Sequence, residues 1–209
     1  MESTIDTIST AATLDNNLKA IITEIKKELR ANMNGVASAH CRQTEDYRVN
    51  WGIELPRLAN IAEEFRSQSD CRLAQALWKE STRECRVLAC MLMPADEMDE
   101  DMCDVWVEDI RTEEIATMFC LYLMPRLAHA SITAFRWIAD ERKMLQTCGF
   151  LTICHLMRRH EMSDSAKDEF IDQAASALNN KYAIKALQIY ASMNEDNARK
   201  VKNIIDCFG

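Results

Sequence analysis

The chain has 209 residues, of which 48% are hydrophobic, four are glycine and three are proline. This length can supply a substantial core, and so few turn-forming residues exclude an all-β fold. A formal net charge of −8 argues against a nucleic-acid binder, because such proteins carry positive surfaces.

The negative charge is concentrated in one segment, residues 95–114. That segment holds ten acidic residues and one basic residue, Arg111, so it carries −9 while the rest of the chain carries +1. The acidity therefore belongs to one segment and needs its own explanation.

In chain order, residues 1–12 are rich in serine and threonine and are predicted to form a flexible N-terminal tail, ahead of one helical domain over 13–209. From Leu14 onward, apolar residues recur at spacings of three and four, which predicts an amphipathic helix. A turn at residues 33–35 and a short helix to about Thr44 follow. An ordered loop then leads from Tyr47 to a helix that begins near Pro56.

Further helices are predicted over residues 56–67, 70–80, 82–93, 101–110, 112–127, 130–139, 141–160, 163–179, 181–193 and 194–207. The N-caps predicted for four of them are Asp70, Thr112, Ser163 and Asn194. The helices are short, their connections are short, and helix pairs recur every ~35–40 residues, as in stacked helical repeats. The pattern predicts an all-α fold, a HEAT- or armadillo-like right-handed superhelix (α-solenoid) of antiparallel helix pairs. An irregular globular helical domain is the alternative.

The nine cysteines form no Cys-x-x-Cys pair, and several lie within apolar patterns: Cys85, Cys90, Cys120, Cys148 and Cys154. They are interpreted as reduced thiols that fill a core. The N-terminus lacks the basic start and apolar run of a signal peptide, and no apolar stretch approaches the ~20 residues of a membrane span. We therefore expect a cytoplasmic protein without a membrane segment.

Several segments, in order, resemble one family. Residues 47–62 are similar to the Y-x-V-x-x-G-V-x-x-P-x-L-R-x-I-A loop and helix of the AlkD-like DNA alkylation repair proteins. Residues 77–89 resemble that family's L-W and H-E-x-R-x-x-A segment, residues 106–120 its central helix pair, and Trp137-Ile138 its later W-I. The resemblance covers roughly residues 20–205.

The resemblance implies a C-shaped superhelix of HEAT-like repeats that holds duplex DNA on a basic concave face. Active members of the family are glycosylases that remove cationic alkylpurines without flipping the lesion into a pocket, and no cofactor is implied. An aspartate stabilises the developing sugar cation and positions water, tryptophans contact the deoxyribose, and an arginine contacts the backbone. A carboxylate offsets positive charge at the anomeric carbon, and an aromatic face favours a cation.

Carried onto this chain, the family's functional residues are replaced. The catalytic aspartate falls on Thr117 and the tryptophan four residues before it on Glu113. The arginine, the late tryptophan and the early aromatic fall on Thr147, Lys185 and Gln43. A threonine supplies no negative charge at pH 7, and losing such a stabiliser costs on the order of 3 kcal/mol.

These replacements predict a catalytically degenerate scaffold that binds duplex DNA weakly, and favour the absence of enzymatic activity. An active alkylpurine glycosylase that uses a relocated carboxylate, Glu113 or Asp109, is the first alternative. The candidate phosphate-contacting residues are Arg158, Arg159, Lys181 and Lys185. Lysine and arginine are also common near helix C-termini, because positive charge there interacts favourably with the helix dipole. The helix dipole is therefore a second explanation for these basic residues.

The acidic segment raises two further interpretations. As a metal site it lacks the glycine and terminal glutamate of a calcium loop, so no metal site is predicted. The simpler interpretation is that these acids form the solvent-exposed start of a helix, where negative charge interacts favourably with the helix dipole. A third function follows from the segment, a protein-interaction scaffold that meets a basic partner. The sequence fixes neither that partner nor the oligomeric state.

Overall fold

Helices make up almost all of the regular secondary structure in the described residues, which are 2–35, 38 and 49–208 of this computed structural model. In chain order they are α1 (Glu2–Ala31), α2 (Leu55–Phe65), α3 (Cys71–Trp78), α4 (Arg83–Leu92), α5 (Glu100–Glu108), α6 (Glu113–Tyr122), α7 (Ala130–Ile138), α8 (Lys143–Arg158), α9 (Asp164–Ala175), α10 (Lys181–Ala191) and α11 (Glu195–Phe208). Among those residues the only extended pairing is an isolated bridge between Val49 and Thr82. The all-α prediction is confirmed.

The predicted boundaries from residue 56 onward agree within two residues, with two exceptions. The helix predicted over 112–127 ends at Tyr122 and gives way to a 3₁₀ turn over Met124–Arg126. Pro125 has no backbone N–H and its ring opposes a continuing α-helix, so the prediction was too long. The helix predicted over 163–179 ends at Ala175, where residues 176–179 turn into α10.

All four predicted N-caps are confirmed. In each, a side-chain oxygen accepts a hydrogen bond from the backbone N–H three residues on, which satisfies a donor that the helix leaves unpaired. The capping residues are Asp70, Thr112, Ser163 and Asn194.

Helix α1 is already formed at Glu2, ahead of the boundary predicted at residue 13. The division into a flexible tail and a single domain stays a prediction. The short helix predicted to about Thr44 lies outside the described residues. By its internal contacts the chain divides into two compact units, an N-terminal unit over Met1–Glu97 and a C-terminal unit over Met98–Gly209.

In the N-terminal unit, α3 and α4 form the most extensive helix contact, and α2 packs against α4. The core of this unit is aliphatic and includes Ile25, Leu29, Leu58, Ile61, Leu73, Leu77 and Leu88. These residues recur at helical spacing on the inward faces of their helices, so their burial explains why the segments form helices.

A buried carboxylate organises the loop before α2. Glu84, which is fully buried, accepts hydrogen bonds from the backbone N–H groups of Trp51 and Ile53 at 3.2 and 3.3 Å. Arg83 donates to the same carboxylate at 3.3 Å and to the Ile53 carbonyl at 2.9 Å. Gly52 has a φ of 70°, which glycine adopts without strain. Arg83 and Glu84 belong to the second segment that resembles the family, residues 77–89. They therefore hold in place the loop of the first such segment, residues 47–62.

In the C-terminal unit, α8 is the central helix and packs against α6, α7 and α10. Trp106, Phe119 and Trp137 are buried in a row, with ring centroids 6.3 and 6.1 Å apart. The five cysteines predicted to fill the core are buried, and none of them forms a disulfide bond: Cys85, Cys90, Cys120, Cys148 and Cys154.

Within the described part of the chain, no helix combines the length and the apolar character required to cross a bilayer.

Candidate functional site

Six of the residues predicted to form the site lie on one layer of three helices. Because α8 packs against both α6 and α10, these helices form a layer in the C-terminal unit. The Cys120 thiol on α6 donates to the Cys148 carbonyl on α8 at 3.3 Å within this layer. The predicted residues on it are Glu113 and Thr117 of α6, Thr147 and Arg158 of α8, and Lys181 and Lys185 of α10. Gln43 lies outside the described residues.

The starts of α6 and α10 meet through an ion pair. Thr112 caps α6 and Asn180 caps α10, so Glu113 and Lys181 are the first residues of their helices. The Lys181 ammonium donates to Glu113 Oε2 at 2.5 Å, and the Tyr182 hydroxyl donates to the same oxygen at 3.1 Å. The Lys181 nitrogen also lies 5.0 Å from the centroid of the Tyr182 ring, a cation–π contact.

These contacts shift the pKa of each partner. Hydrogen bonding from Lys181 lowers the pKa of the Glu113 carboxyl below its usual value, and hydrogen bonding to Glu113 raises that of Lys181. Burial, and then hydrogen bonding to Glu113, raises the pKa of the Tyr182 phenol. At neutral pH the carboxylate and the ammonium are both charged, and their charges offset each other.

Thr117 and Thr147 are both engaged within the protein and not presented to a ligand. The Thr117 hydroxyl donates to the Glu113 carbonyl at 2.8 Å, one turn back along α6. Thr147 is 5% exposed, so it is packed inside the layer rather than presented to a ligand. Of the residues at the family's positions, Glu113 and Thr117 lie together, and Lys185 lies one turn along α10 from Lys181.

Asp109, the other carboxylate considered for catalysis, lies at the C-terminal end of α5 as its C-cap. Its backbone N–H donates to the Trp106 carbonyl at 3.1 Å. The C-terminus of a helix carries partial negative charge, which disfavours a further anion there.

The tryptophans and phenylalanine that carry the family resemblance are core residues. Trp137 is 1% exposed, and its indole N–H donates to Asp104 Oδ1 at 2.7 Å. Asp104 also forms an ion pair with Arg136. Sequence reasoning missed this use of Asp104, because its partners lie more than thirty residues further along the chain.

The acidic segment is partly neutralised by bases of this same chain. Besides the pairs already described, Glu108 accepts from Arg142 at 2.7 Å, and Arg142 also pairs with Asp140 at 2.8 Å. The Arg142 guanidinium holds the pKa of the Asp140 carboxyl at about 2. Asp99 caps α5, as an acidic helix start would. A basic protein partner for this segment stays a prediction.

Among the described residues, no three His, Cys, Asp or Glu side chains come close enough together to hold a metal ion.

The four predicted phosphate-contacting cations divide into two kinds. Lys181 is paired with Glu113, and Arg159 donates to Glu161 at 2.8 Å. Arg158 and Lys185 are exposed, and neither has an ion-pair partner within the described part of the chain. Their positive charges act on the half-buried His155.

The pKa of His155 is lowered, first by burial and then by Arg158, Lys185 and Arg159. The C-terminal end of α8 and the exposed side of α10 therefore form one positive patch around His155, which we call the α8–α10 basic patch (Arg158, Arg159 and Lys185). His155 lies one turn before Arg158 and Arg159 on α8, which the sequence already indicates, and only the fold brings Lys185 of α10 to them.

Comparison with known proteins assigns the fold. The family described as "DNA alkylation repair enzyme" matches residues 23–185. A solved structure described as "A new family of proteins related to the HEAT-like repeat DNA glycosylases with affinity for branched DNA structures" is similar to this chain with a TM-score of 0.78 and 15% sequence identity. The similarity covers 90% of this chain and 83% of that one. No curated protein sequence matches this chain significantly. The helical architecture is therefore that of the HEAT-like repeat proteins, as predicted.

Proposed function

Because this chain belongs to the family of DNA alkylation repair enzymes, we propose that it binds DNA through the layer of α6, α8 and α10 and has no alkylpurine glycosylase activity. The observation that carries the proposal is the ion pair between Glu113 and Lys181. Glu113 stands where the family resemblance expects an aromatic residue, and Thr117, one turn on, stands where it expects the catalytic aspartate.

Glycosidic cleavage of a cationic purine develops positive charge on the sugar, and a carboxylate whose charge is partly offset by a bound ammonium stabilises that charge less than an unpaired one. The Lys181 ammonium lies 2.5 Å from the Glu113 carboxylate, and Tyr182 donates to the same oxygen. A positive sugar near this pair meets the lysine as well as the glutamate. Thr117 contributes a neutral hydroxyl that already bonds to the backbone. These contacts disfavour the relocated-carboxylate alternative at Glu113.

The DNA-binding half of the proposal is supported by the α8–α10 basic patch. Arg158 and Lys185 are exposed cations without an ion-pair partner in the described part of the chain, so binding a phosphate breaks no existing ion pair. Each phosphate contact releases counterions and makes affinity salt-dependent. Two such contacts agree with weak binding, in a chain whose net charge is −8.

Branched DNA is the form that we propose this chain prefers. The similar solved structure is described as having affinity for branched DNA structures, and its fold extends over 90% of this chain. A branch presents phosphates from more than one helix arm, so a small basic patch can reach more of them than on a straight duplex.

The test compares a fluorescent four-way junction with a linear duplex of equal length by anisotropy, from about 50 to 200 mM salt. We expect tighter binding of the junction and a steep loss of affinity with salt. Arg158→Gln and Lys185→Gln each reduce the slope of log K against log salt by about one. Lys167→Gln on α9, where the lysine pairs with Asp164, is the matched control and leaves the slope unchanged.

The catalytic half is tested by incubating the protein with methylated duplex and measuring released N3-methyladenine and N7-methylguanine. We expect no release above the protein-free background. Release that Glu113→Gln abolishes would establish the relocated-carboxylate alternative instead. Failure to bind either DNA at the lowest salt would overturn the DNA-binding half.

A further inference from the structure

His155 of α8 lies within a cluster of cations. It is half-buried near the C-terminal end of the helix, and Arg158 and Arg159 follow it at the spacings of three and four that bring side chains together on one helix face. Lys185 comes to the same place from α10, which packs closely against α8. The charges of Arg158 and Lys185 act on this imidazole and also on the buried Cys154 thiol beside it, which locates both cations at this point of α8.

The charged groups that act on His155 are all positive among the described residues. Arg159 is paired with Glu161 at 2.8 Å, whereas the other two cations have no ion-pair partner in this part of the chain. The remaining elements that pack on α8, which are α5, α6, α7 and the 3₁₀ turn over Met124–Arg126, bring no described charged group that acts on the imidazole. Burial and the three cations therefore all favour the neutral ring, and its pKa lies below the usual value.

A phosphate bound at Arg158 and Lys185 reverses this balance. Its negative charge favours the protonated imidazole, and the protonated ring has two N–H donors where the neutral ring has one. Phosphate binding and protonation then strengthen each other by the same factor, because the coupling between two binding equilibria is reciprocal. Binding of an anion at this cluster should therefore take up a proton from solution.

We propose that His155 is a further phosphate-contacting residue of the α8–α10 basic patch, neutral in the free protein and protonated in the complex with DNA. The inference rests on the proposed function, which supplies the phosphate. It makes the affinity for DNA depend on pH as well as on salt. Histidine suits this role because its ordinary pKa of about 6.5 lies close to neutral pH, so a change in nearby charge alters its protonation.

The first experiment titrates a fluorescent four-way junction with the protein and measures anisotropy at fixed salt, from pH 8.0 to pH 5.5. Affinity should rise as the pH falls, by about tenfold for each unit by which DNA raises the pKa of His155. The rise should be confined to the interval between the pKa values of the free and the bound imidazole, because outside it both states bind the same number of protons. An affinity that is constant over this range overturns the inference.

Two histidine variants assign the proton. His155→Gln keeps a polar side chain that cannot be protonated, so the rise in affinity at low pH should disappear. His160→Gln, at an exposed residue just beyond the end of α8, is the matched control and should keep the rise. Loss of the pH dependence in His160→Gln but not in His155→Gln overturns the inference. Circular dichroism at both ends of the pH range establishes that each variant is folded.

A second measurement needs no variant. The ring signals of His155 are followed by NMR over the same pH range in the free protein, with the saturating junction, and with sodium sulfate against sodium chloride at equal ionic strength. Sulfate is a tetrahedral dianion like a phosphate, and its charge is constant over this range. We expect both anions to move the titration midpoint of His155 to higher pH. The midpoint of His129, whose ring bonds to Thr133 and to the Met98 carbonyl, should not move.

The outcomes separate this inference from the proposed function. If the junction binds while the His155 midpoint stays the same or falls, the inference is overturned and the proposed function stands. If sulfate raises the midpoint but no DNA binds at the lowest salt, the anion site is supported and the proposed function is overturned. If DNA does not bind and sulfate has no effect, both are overturned.

Discussion

Glu113 and Lys181 are 68 residues apart in the sequence and form a 2.5 Å ion pair between the first residues of α6 and α10. The pair unites one residue at a family catalytic-site position with one predicted to contact DNA. A phosphate at Lys181, or a developing cation at Glu113, therefore has to compete with this exposed ion pair.

Glu113→Gln should strengthen DNA binding. Removing the carboxylate releases the Lys181 ammonium, which can then contact a phosphate, so the slope of log K against log salt should rise by about one. Glu195→Gln, the same change at the first residue of α11, controls for the overall charge and should not change the slope. An unchanged slope for Glu113→Gln would mean that Lys181 does not reach DNA.

Stability should depend on pH through His155. Burial and the neighbouring cations lower its pKa in the folded protein below the value of about 6.5 in the unfolded chain. Below that value the unfolded state binds more protons, so stability falls as pH falls and is recovered above it. Between pH 7.5 and pH 5.5, the melting temperature should fall further for the parent protein than for His155→Gln. Equal losses would contradict this origin.

Glu84→Ala should destabilise the N-terminal unit by on the order of 3 kcal/mol, because it leaves Arg83 and two backbone N–H groups without their buried acceptor. Hydrogen exchange should show the Trp51 and Ile53 amides losing protection. Glu64→Ala, at an exposed residue that pairs with Arg57 at 3.5 Å, should change stability by less than about 0.5 kcal/mol. Retained protection in Glu84→Ala would contradict the role given to Glu84.

Gly149→Ala should destabilise the C-terminal unit. A Cβ at this position would lie 2.7 Å from the Ala134 carbonyl and 2.7 Å from Ile138 Cγ1, so α7 and α8 must separate. Such overpacking costs about 1–3 kcal/mol, which outweighs the gain of up to about 1 kcal/mol in helix propensity. Gly35→Ala, where nothing lies within 4 Å, is the control. Urea denaturation measures the free energy of unfolding of both variants. A Gly149→Ala variant more stable than the parent would show that the two helices can move apart without a cost in stability.

The sequence by itself determined the helices. Apolar spacing and capping residues are local signals, so α3 could be placed from Asp70 and α9 from Ser163 without knowledge of any partner. The errors have local causes too. The observed end of α6 lies before the predicted one because Pro125 does not continue an α-helix, and this signal is itself local. The family resemblance was also present in the sequence, and the family match confirms it.

Only the tertiary structure decided what the site residues do. A list of acids between residues 95 and 114 does not reveal that Arg136, Arg142 and Lys181 pair with four of them, since these bases come from later parts of the chain. Nor does the sequence reveal that Thr147 is buried, or that Lys185 lies beside His155. Helix formation depends on residues three and four positions apart, whereas charge pairing and burial depend on which distant helices pack together.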